Sequence, residues 1–327
     1  MKILGISNPS FTGVTVATKA ICTDYYPVLP ITDIKSSYSL AKAIVNFRPD
    51  ILIVGGWSTG YNYLLEAMRA SRKFPVVMVQ HSHVFHGSFF GDDRYLPEID
   101  ACAGIGSIDV IAYVQPQMAD YVRTVRRNTT AWVPHYFQSG PISCKPKKFT
   151  VGVLGGMGSP YKNVSGCVKV AKDFAANNPG TEVVISDPHG EVPHIFLDRI
   201  KRCSVLLHTS HLECYPNLVQ EAWSVGVPVV LSTASIGLYQ NHLIGKKPWH
   251  GVHDLVVKSN NDASELYHMI DRVYADHNAH NKYGVAVHEG YKRLSQAAED
   301  YTAKVLSAVR DGYQSKTYKG LSDLEIL

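Results

Sequence analysis

The chain has 327 residues, enough for two domains of ordinary size. Its 45% hydrophobic and 18% charged content is that of a soluble globular protein, and no low-complexity tract argues for disorder. No stretch reaches the run of about 18 apolar residues that a spanning helix needs, so no spanning helix is expected.

The formal net charge of +4 is unevenly placed. Residues 1–150 carry 15 Lys and Arg against 10 Asp and Glu, whereas the remainder carries 17 against 18. A mildly basic first half favours an anionic partner. Cys22, Cys102, Cys144, Cys167, Cys203 and Cys214 form no C-x-x-C pair and several sit in apolar runs, which reads as free thiols in a reducing compartment. Met1 to Ser7 runs straight into a strand with no signal peptide ahead of it, so the expectation is a cytoplasmic protein.

Taken in order, Lys2 to Ser7 is a buried strand, Phe11 to Thr15 a loop, and Val16 to Ile21 a short helix. Ser37 to Phe47 is an amphipathic helix with Leu40, Ile44 and Phe47 on one stripe, stopped by Arg48-Pro49-Asp50. Ile51 to Val54 is a strand, Tyr61 to Ser71 a helix, and Pro75 to Val79 a strand leading into His81, His83 and His86. Three histidines so close could hold a metal, but no cysteine joins them and no D-x-D occurs, so no metal is assigned. Ile99 to Gly106 and Pro116 to Arg127 read as helices around the strand Ile108 to Tyr113, and Ala131 to Pro134 is a further strand. Arg123, Arg126 and Arg127 suit a helix C-terminus, or a patch that meets an anionic membrane surface.

Residues 138–148 form a polar, proline-bearing linker, after which the same grammar restarts. Phe149 to Leu154 is a strand, Gly155 to Asn163 a glycine-containing loop, and Val164 to Ala176 a helix. The loop is neither G-x-G-x-x-G nor a Walker loop, which removes the common dinucleotide and ATPase readings. Thr181 to Ser186 and Val192 to Lys201 are strand and helix, and His253 to Val257 a late strand. Asp262 to Asp276 and Asn281 to Asp311 are amphipathic helices, and a polar tail follows.

The most informative stretch is residues 205–231. Val205 to Leu207 is a buried strand, Asn217 to Val225 a helix closed by Gly226 and Pro228, and Val229 to Leu231 the next strand. Glu213 stands in the loop beyond the carboxyl end of the first strand, where open α/β sheets bind ligands. The start of the helix after it suits an anion such as pyrophosphate, and Glu221 lies about one turn in. Either acid alone could be a solvated charge.

The whole string is more specific. Glu213-x7-Glu221 with Tyr215-Pro216-Asn217 between, then Glu221-Ala-x-x-x-Gly226-x-Pro228-Val-Val, resembles the signature of retaining GT-B glycosyltransferases of family four, the group 1 glycosyl transferases. The close match covers about twenty-five residues. The resemblance implies an α/β GT-B fold, two Rossmann-like domains facing a cleft. The expected boundaries are 1–143 for the acceptor-side domain, 148–310 for the nucleotide-sugar domain, and 311–327 for a tail packing back on the first.

It also implies roles. Glu213, His81 and Lys162 would be catalytic, with His83 as the fallback for His81. Gly13, Met157, Lys162, Ser210, Tyr215, Pro216, Asn217, Leu218 and Glu221 would bind the donor, with the Glu221 carboxylate accepting from the ribose hydroxyls. Met157 stands where the family has an arginine that neutralises the departing diphosphate; Arg94 or Lys201 could compensate. No cofactor is implied, only a nucleotide-diphosphate sugar as co-substrate, a UDP-sugar ahead of a GDP-sugar. The acceptor would be a glycan, a glycolipid or a small molecule, with hydroxylated phage or viral DNA as an alternative suggested by the basic first half. A catalytically retired nucleotide-sugar-binding subunit, suggested by Met157, and an unrelated two-domain α/β protein are the other readings.

Overall fold

The computed structural model describes residues 1–10, 12–81, 95–114, 129–143, 146–155, 160–186, 193–211, 213, 216–233, 252–259, 262–279, 281–318, 321 and 324. They divide into two compact units, Met1–Tyr136 with Ala298–Leu327, and Phe137–Ala297.

The first unit is built on six parallel strands: β1 (Ile3–Ser7), β2 (Asp24–Pro27), β3 (Ile51–Gly55), β4 (Val76–Gln80), β5 (Val110–Tyr113) and β6 (Thr130–Trp132), in the order β2-β1-β3-β4-β5-β6. Every residue of β1, β3 and β5 is buried, as expected of parallel strands covered on both faces. Strand β2, Asp-Tyr-Tyr-Pro, was not anticipated; it lies on the sheet edge, is largely exposed and so carries no apolar run. Helices α1 (Thr12–Ala20), α2 (Ile34–Phe47), α3 (Tyr61–Arg69) and α4 (Tyr95–Gly104) belong to this unit.

Two helix starts differ from expectation. Helix α1 begins at Thr12, so Thr12 to Thr15, read as loop, form its first turn, while Phe11 lies outside the described residues; Thr15 is buried and its hydroxyl reaches Asn8 O at 3.2 Å. Helix α2 begins three residues early because Asp33 caps it, accepting from Ser36 N at 2.7 Å. Arg48 ends α2 in the left-handed region (φ 53). A β-carbon on Gly55 would overlap Thr18 Oγ1, so the glycine is what lets α1 lie close on β3.

The second unit carries five parallel strands: β7 (Thr150–Val153), β8 (Glu182–Ile185), β9 (Val205–His208), β10 (Val229–Ser232) and β11 (Val256–Val257), in the order β11-β10-β9-β7-β8. Its helices are α5 (Val164–Asn177), α6 (Pro193–Lys201), α7 (Asn217–Ser224) and α8 (Ala263–Ala279). One face of the sheet buries Val151, Val205, Leu207 and Val230 against Val170 and Phe174 of α5 and Ile270 and Val273 of α8. Phe149 meets Tyr274 edge-on at 4.9 Å. The late strand expected at 253–257 is mostly a 3₁₀ turn, His253–Leu255, and only Val256 and Val257 pair with β10.

Helix α9 (Lys282–Ser315) runs past the expected end at Asp311. Tyr291 belongs to the second unit and receives a hydrogen bond from Phe137 N at 2.9 Å. From Ala298 the helix belongs to the first unit: Tyr301 stacks near Trp132 at 4.7 Å, and Thr302 donates to Pro134 O at 2.9 Å. Among the described residues no helix is long and apolar enough to cross a membrane.

Candidate donor site

In the second sheet β7 lies between β8 and β9, so the chain leaves β7 towards one edge and returns to build β9, β10 and β11 towards the other. The carboxyl ends of β7 and β9 are therefore the switch point, the place where an open α/β sheet leaves a crevice. Two loops meet there. The loop after β7 ends in a 3₁₀ turn, Pro160–Lys162, and Asn163, at φ 50, turns the chain into α5. The loop after β9 carries Thr209, Ser210 and Glu213, all buried.

Three of the bonds that tie the loops together lie among the described residues. His211 N donates to Tyr161 O at 2.7 Å, and Asn163 Nδ2 to Thr209 Oγ1 at 3.0 Å. The third is an ion pair from Lys162 Nζ to Glu213 Oε1. The same oxygen of Glu213 lies 2.7 Å from His208 Nε2, at the end of β9. Ser210 Oγ stands 3.4 Å from that nitrogen, and Ser232 Oγ on β10 donates to Ser210 O at 2.6 Å. Burial alone would raise the Glu213 carboxyl, but the facing charges and hydrogen bonds of His208 and Lys162 outweigh it and hold the pKa at about 2. Glu213 is therefore ionised at neutral pH.

Helix α7 starts behind Glu213. Pro216 is its N-cap and, as a proline, offers no side-chain cap bond. At the other end Gly226, at φ 78, donates to Trp223 O and Val227 N to Ala222 O, the paired bonds of a Schellman cap. Leu218, Val219, Gln220, Ala222 and Trp223 are buried, which leaves Asn217 and Glu221 as a half-buried i, i+4 pair on one face. The Glu221 carboxylate makes no hydrogen bond or ion pair among the described residues, and its burial pushes its pKa up to about 7.

The structure thus brings Lys162 and Glu213 into contact, sets Ser210 beside His208, and presents Pro216, Asn217, Leu218 and Glu221 along one short helix. Gly13 and His81 belong to the other unit. Gly13 lies in the first turn of α1 rather than in a loop. His81 follows β4, its ring 5.9 Å from that of His135; among the described residues its buried Nε2 has no hydrogen-bond partner, and burial lowers its pKa to about 4. Met157, Tyr215, His83, His86, Arg94, Arg123, Arg126 and Arg127 lie outside the described residues. Lys201 cannot stand in for a phosphate-binding arginine here. It closes α6, which leads into the amino end of β9, the edge away from Glu213, and it pairs with Asp198 at 3.4 Å. His208 and Asn163 were not singled out from the sequence. The available signal for His208 was an imidazole at the end of an otherwise aliphatic buried strand. Among the described residues no three His, Cys, Asp or Glu side chains gather as a metal-binding set, and Cys22, Cys102, Cys167 and Cys203 are free.

No protein-family model and no curated protein matches the sequence. Solved structures do resemble it. A sucrose-phosphate synthase from Thermosynechococcus elongatus is 13% identical with a TM-score of 0.62, the match covering 95% of this chain and 100% of that one. A UDP-forming α,α-trehalose-phosphate synthase from Burkholderia xenovorans is 10% identical with a TM-score of 0.56, covering 98% and 100%. The GtfA/B complex is 13% identical with a TM-score of 0.52; the match covers 85% of this chain but spans only 61% of that one. With the two parallel sheets, these likenesses show the two-domain, Rossmann-like GT-B fold.

Proposed function

We propose that the chain is a retaining glycosyltransferase that moves a sugar from a nucleotide-diphosphate sugar, a UDP-sugar in the first instance, to an acceptor hydroxyl without a metal. The observation that carries this reading is the Lys162–Glu213 pair at the β7/β9 switch point, beside the start of α7 at Pro216 with Glu221 one turn in. The GT-B fold supports it, and the UDP-forming trehalose-phosphate synthase among the similar structures favours uridine as the base.

In this reading the start of α7 receives the diphosphate on its backbone N–H groups, favoured by the helix dipole. Lys162 supplies the neutralising charge as the diphosphate leaves. Glu221, ionised, accepts from the two ribose hydroxyls, and Glu213 orients the sugar hydroxyls. The acceptor hydroxyl attacks from the face the diphosphate departs, and a phosphate oxygen takes its proton. The acceptor is a glycan, a glycolipid or a small molecule.

The test is thermal stability of the whole chain against UDP, GDP, ADP, CMP and dTDP, each with and without EDTA. A ligand at 100 times its Kd stabilises by about 2.7 kcal/mol, which is readily seen. The expected result is a shift with UDP that survives EDTA and is lost in Glu221→Ala. A flat response to every nucleotide would overturn the reading.

A further inference from the structure

Lys162 is held through its neighbours on both sides. One residue before it, Tyr161 O accepts from His211 N at 2.7 Å. One residue after it, Asn163 Nδ2 donates to Thr209 Oγ1 at 3.0 Å. Thr209 and His211 both stand on the loop that follows β9, so the chain on either side of Lys162 is tied to the loop that carries Glu213. Between the ties stands the four-carbon stem of the lysine. Its ammonium rests on Glu213 and lies 5.1 Å from the centre of the Tyr161 ring.

The tie through Asn163 runs against local habit. Asn163 is the N-cap of α5, where an asparagine ordinarily has an extended backbone and accepts from the first N–H groups of the helix. Here the backbone is left-handed, at φ 50, and the side chain makes no cap bond to α5. Asparagine is among the few residues that take up this conformation with ease. Its amide turns instead to Thr209, which is fully buried. Thr209 Oγ1 is shared with Cys167 Sγ of α5, at 3.2 Å, as a hydroxyl with one hydrogen and two lone pairs allows. The first turn of α5 leaves room for the amide, since a β-carbon on Gly166 would come 2.5 Å from Asn163 Oδ1. A forgone cap bond, a left-handed asparagine and a glycine three positions on thus meet at one contact. That contact fixes the direction in which the chain leaves Lys162.

A long side chain binds a ligand at least cost when its own backbone is already fixed. On the donor-site reading above, we propose that Asn163 and Thr209 are positioning residues for Lys162: the bond between them holds the left-handed turn that aims its ammonium at the diphosphate. Neither residue needs to touch the nucleotide. Their effect on the ligand passes through Lys162, which separates this role from a general bracing of the loop.

The experiment is calorimetric titration of the full chain with UDP. The variants are Thr209→Val, Thr209→Ser, Lys162→Ala, and Thr209→Val combined with Lys162→Ala. Valine keeps the shape of threonine and removes the acceptor. Thr209→Val should weaken UDP binding about tenfold, the loss expected for one hydrogen bond and the order it brings. Serine restores the hydroxyl and should recover most of that affinity. With Lys162→Ala already in place, Thr209→Val should cost no more than about a further twofold, because the two sites act as one unit. Should Thr209→Val not fold, Asn163→Gly carries the same test, since glycine keeps the positive φ and removes the amide. Equal UDP affinity in wild type and Thr209→Val overturns the positioning role. A serine variant no tighter than valine overturns it as well, because the hydroxyl is then not the cause. A loss that is the same with and without Lys162 assigns the bond to bracing of the loop, overturns the inference and leaves the donor site standing. Absence of UDP binding in the wild type removes the donor-site reading, and this inference with it.

Discussion

Lys162 and Glu213 stand 51 residues apart in the chain, and their side chains form the ion pair that joins the loop after β7 to the loop after β9. Lys162→Ala removes the ammonium from a buried carboxylate that keeps its contact with His208. Because the lysine side chain is 19% exposed, solvent screens part of the loss, and the expected destabilisation is about 1–3 kcal/mol in urea unfolding. On the proposed reaction the same change lowers kcat by about 10²–10³, as loss of one leaving-group contact does. Full activity with unchanged stability would show that the pair is incidental.

Glu213 sets an acid-side dependence. Its folded pKa, about 2, lies below the ordinary 4.5, so the unfolded chain binds more protons between those values. The stabilisation is fully present above about pH 4.5 and disappears as pH falls through about 2. Glu213→Gln should therefore flatten the fall of the melting temperature across that window. An unaltered acid limb in the variant would contradict the assignment.

Glu221 works in the opposite sense. Burial raises its pKa from 4.5 to about 7, so the folded chain binds more protons between those values. Stability from this group is fully present below about pH 4.5 and lost as pH rises through about 7. Glu221→Gln should raise the melting temperature at pH 8, change little at pH 4.5, and weaken UDP binding at pH 8. Wild-type UDP affinity should itself improve from pH 6 to pH 8 as the carboxylate ionises. A melting temperature for the variant that parallels the wild type across this range would count against the shifted carboxyl.

Gly55 and Thr18 form the close contact of α1 on β3. Gly55→Ala forces the new methyl into Thr18 Oγ1, with an expected loss of about 1–3 kcal/mol. Thr18 also donates to Val14 O at 2.7 Å, so it cannot swing aside without breaking that bond. The double variant Gly55→Ala, Thr18→Ala should regain part of the loss. Additive losses in a double-mutant cycle would deny the contact.

Arg72 and Asp109 form a buried pair in the first unit, at 2.5 Å, with side chains 3% and 13% exposed. Arg72 also donates to Phe74 O at 2.8 Å and Gly106 O at 2.6 Å, and Asp109 accepts from Val76 N at 2.8 Å. Arg72→Ala removes the cation from this network and should destabilise by about 3–5 kcal/mol in urea, with an unchanged m-value. A loss under 1 kcal/mol would place the pair among exposed salt bridges.

Much of the fold was legible because its signals are local. Ile51 to Val54 and Val205 to Leu207 read as strands because parallel strands buried on both faces are continuous aliphatic runs. Gly226 read as a helix stop because the turn after α7 needs a positive φ, and it has one. The Glu213 and Glu221 string placed the candidate site's loop and helix for the same reason, since strand, loop and helix follow one another in sequence. Strand β2 was not legible, since an exposed edge strand needs no apolar pattern. The order of β7 and β9, the meeting of Lys162 with Glu213, the bond from His208, and the residue at which α9 passes from one unit to the other were decided by tertiary structure. Each joins residues tens of positions apart, and their pairing is fixed by which strands exchange hydrogen bonds and which side chains share burial. Local sequence periodicity carries no information about those choices.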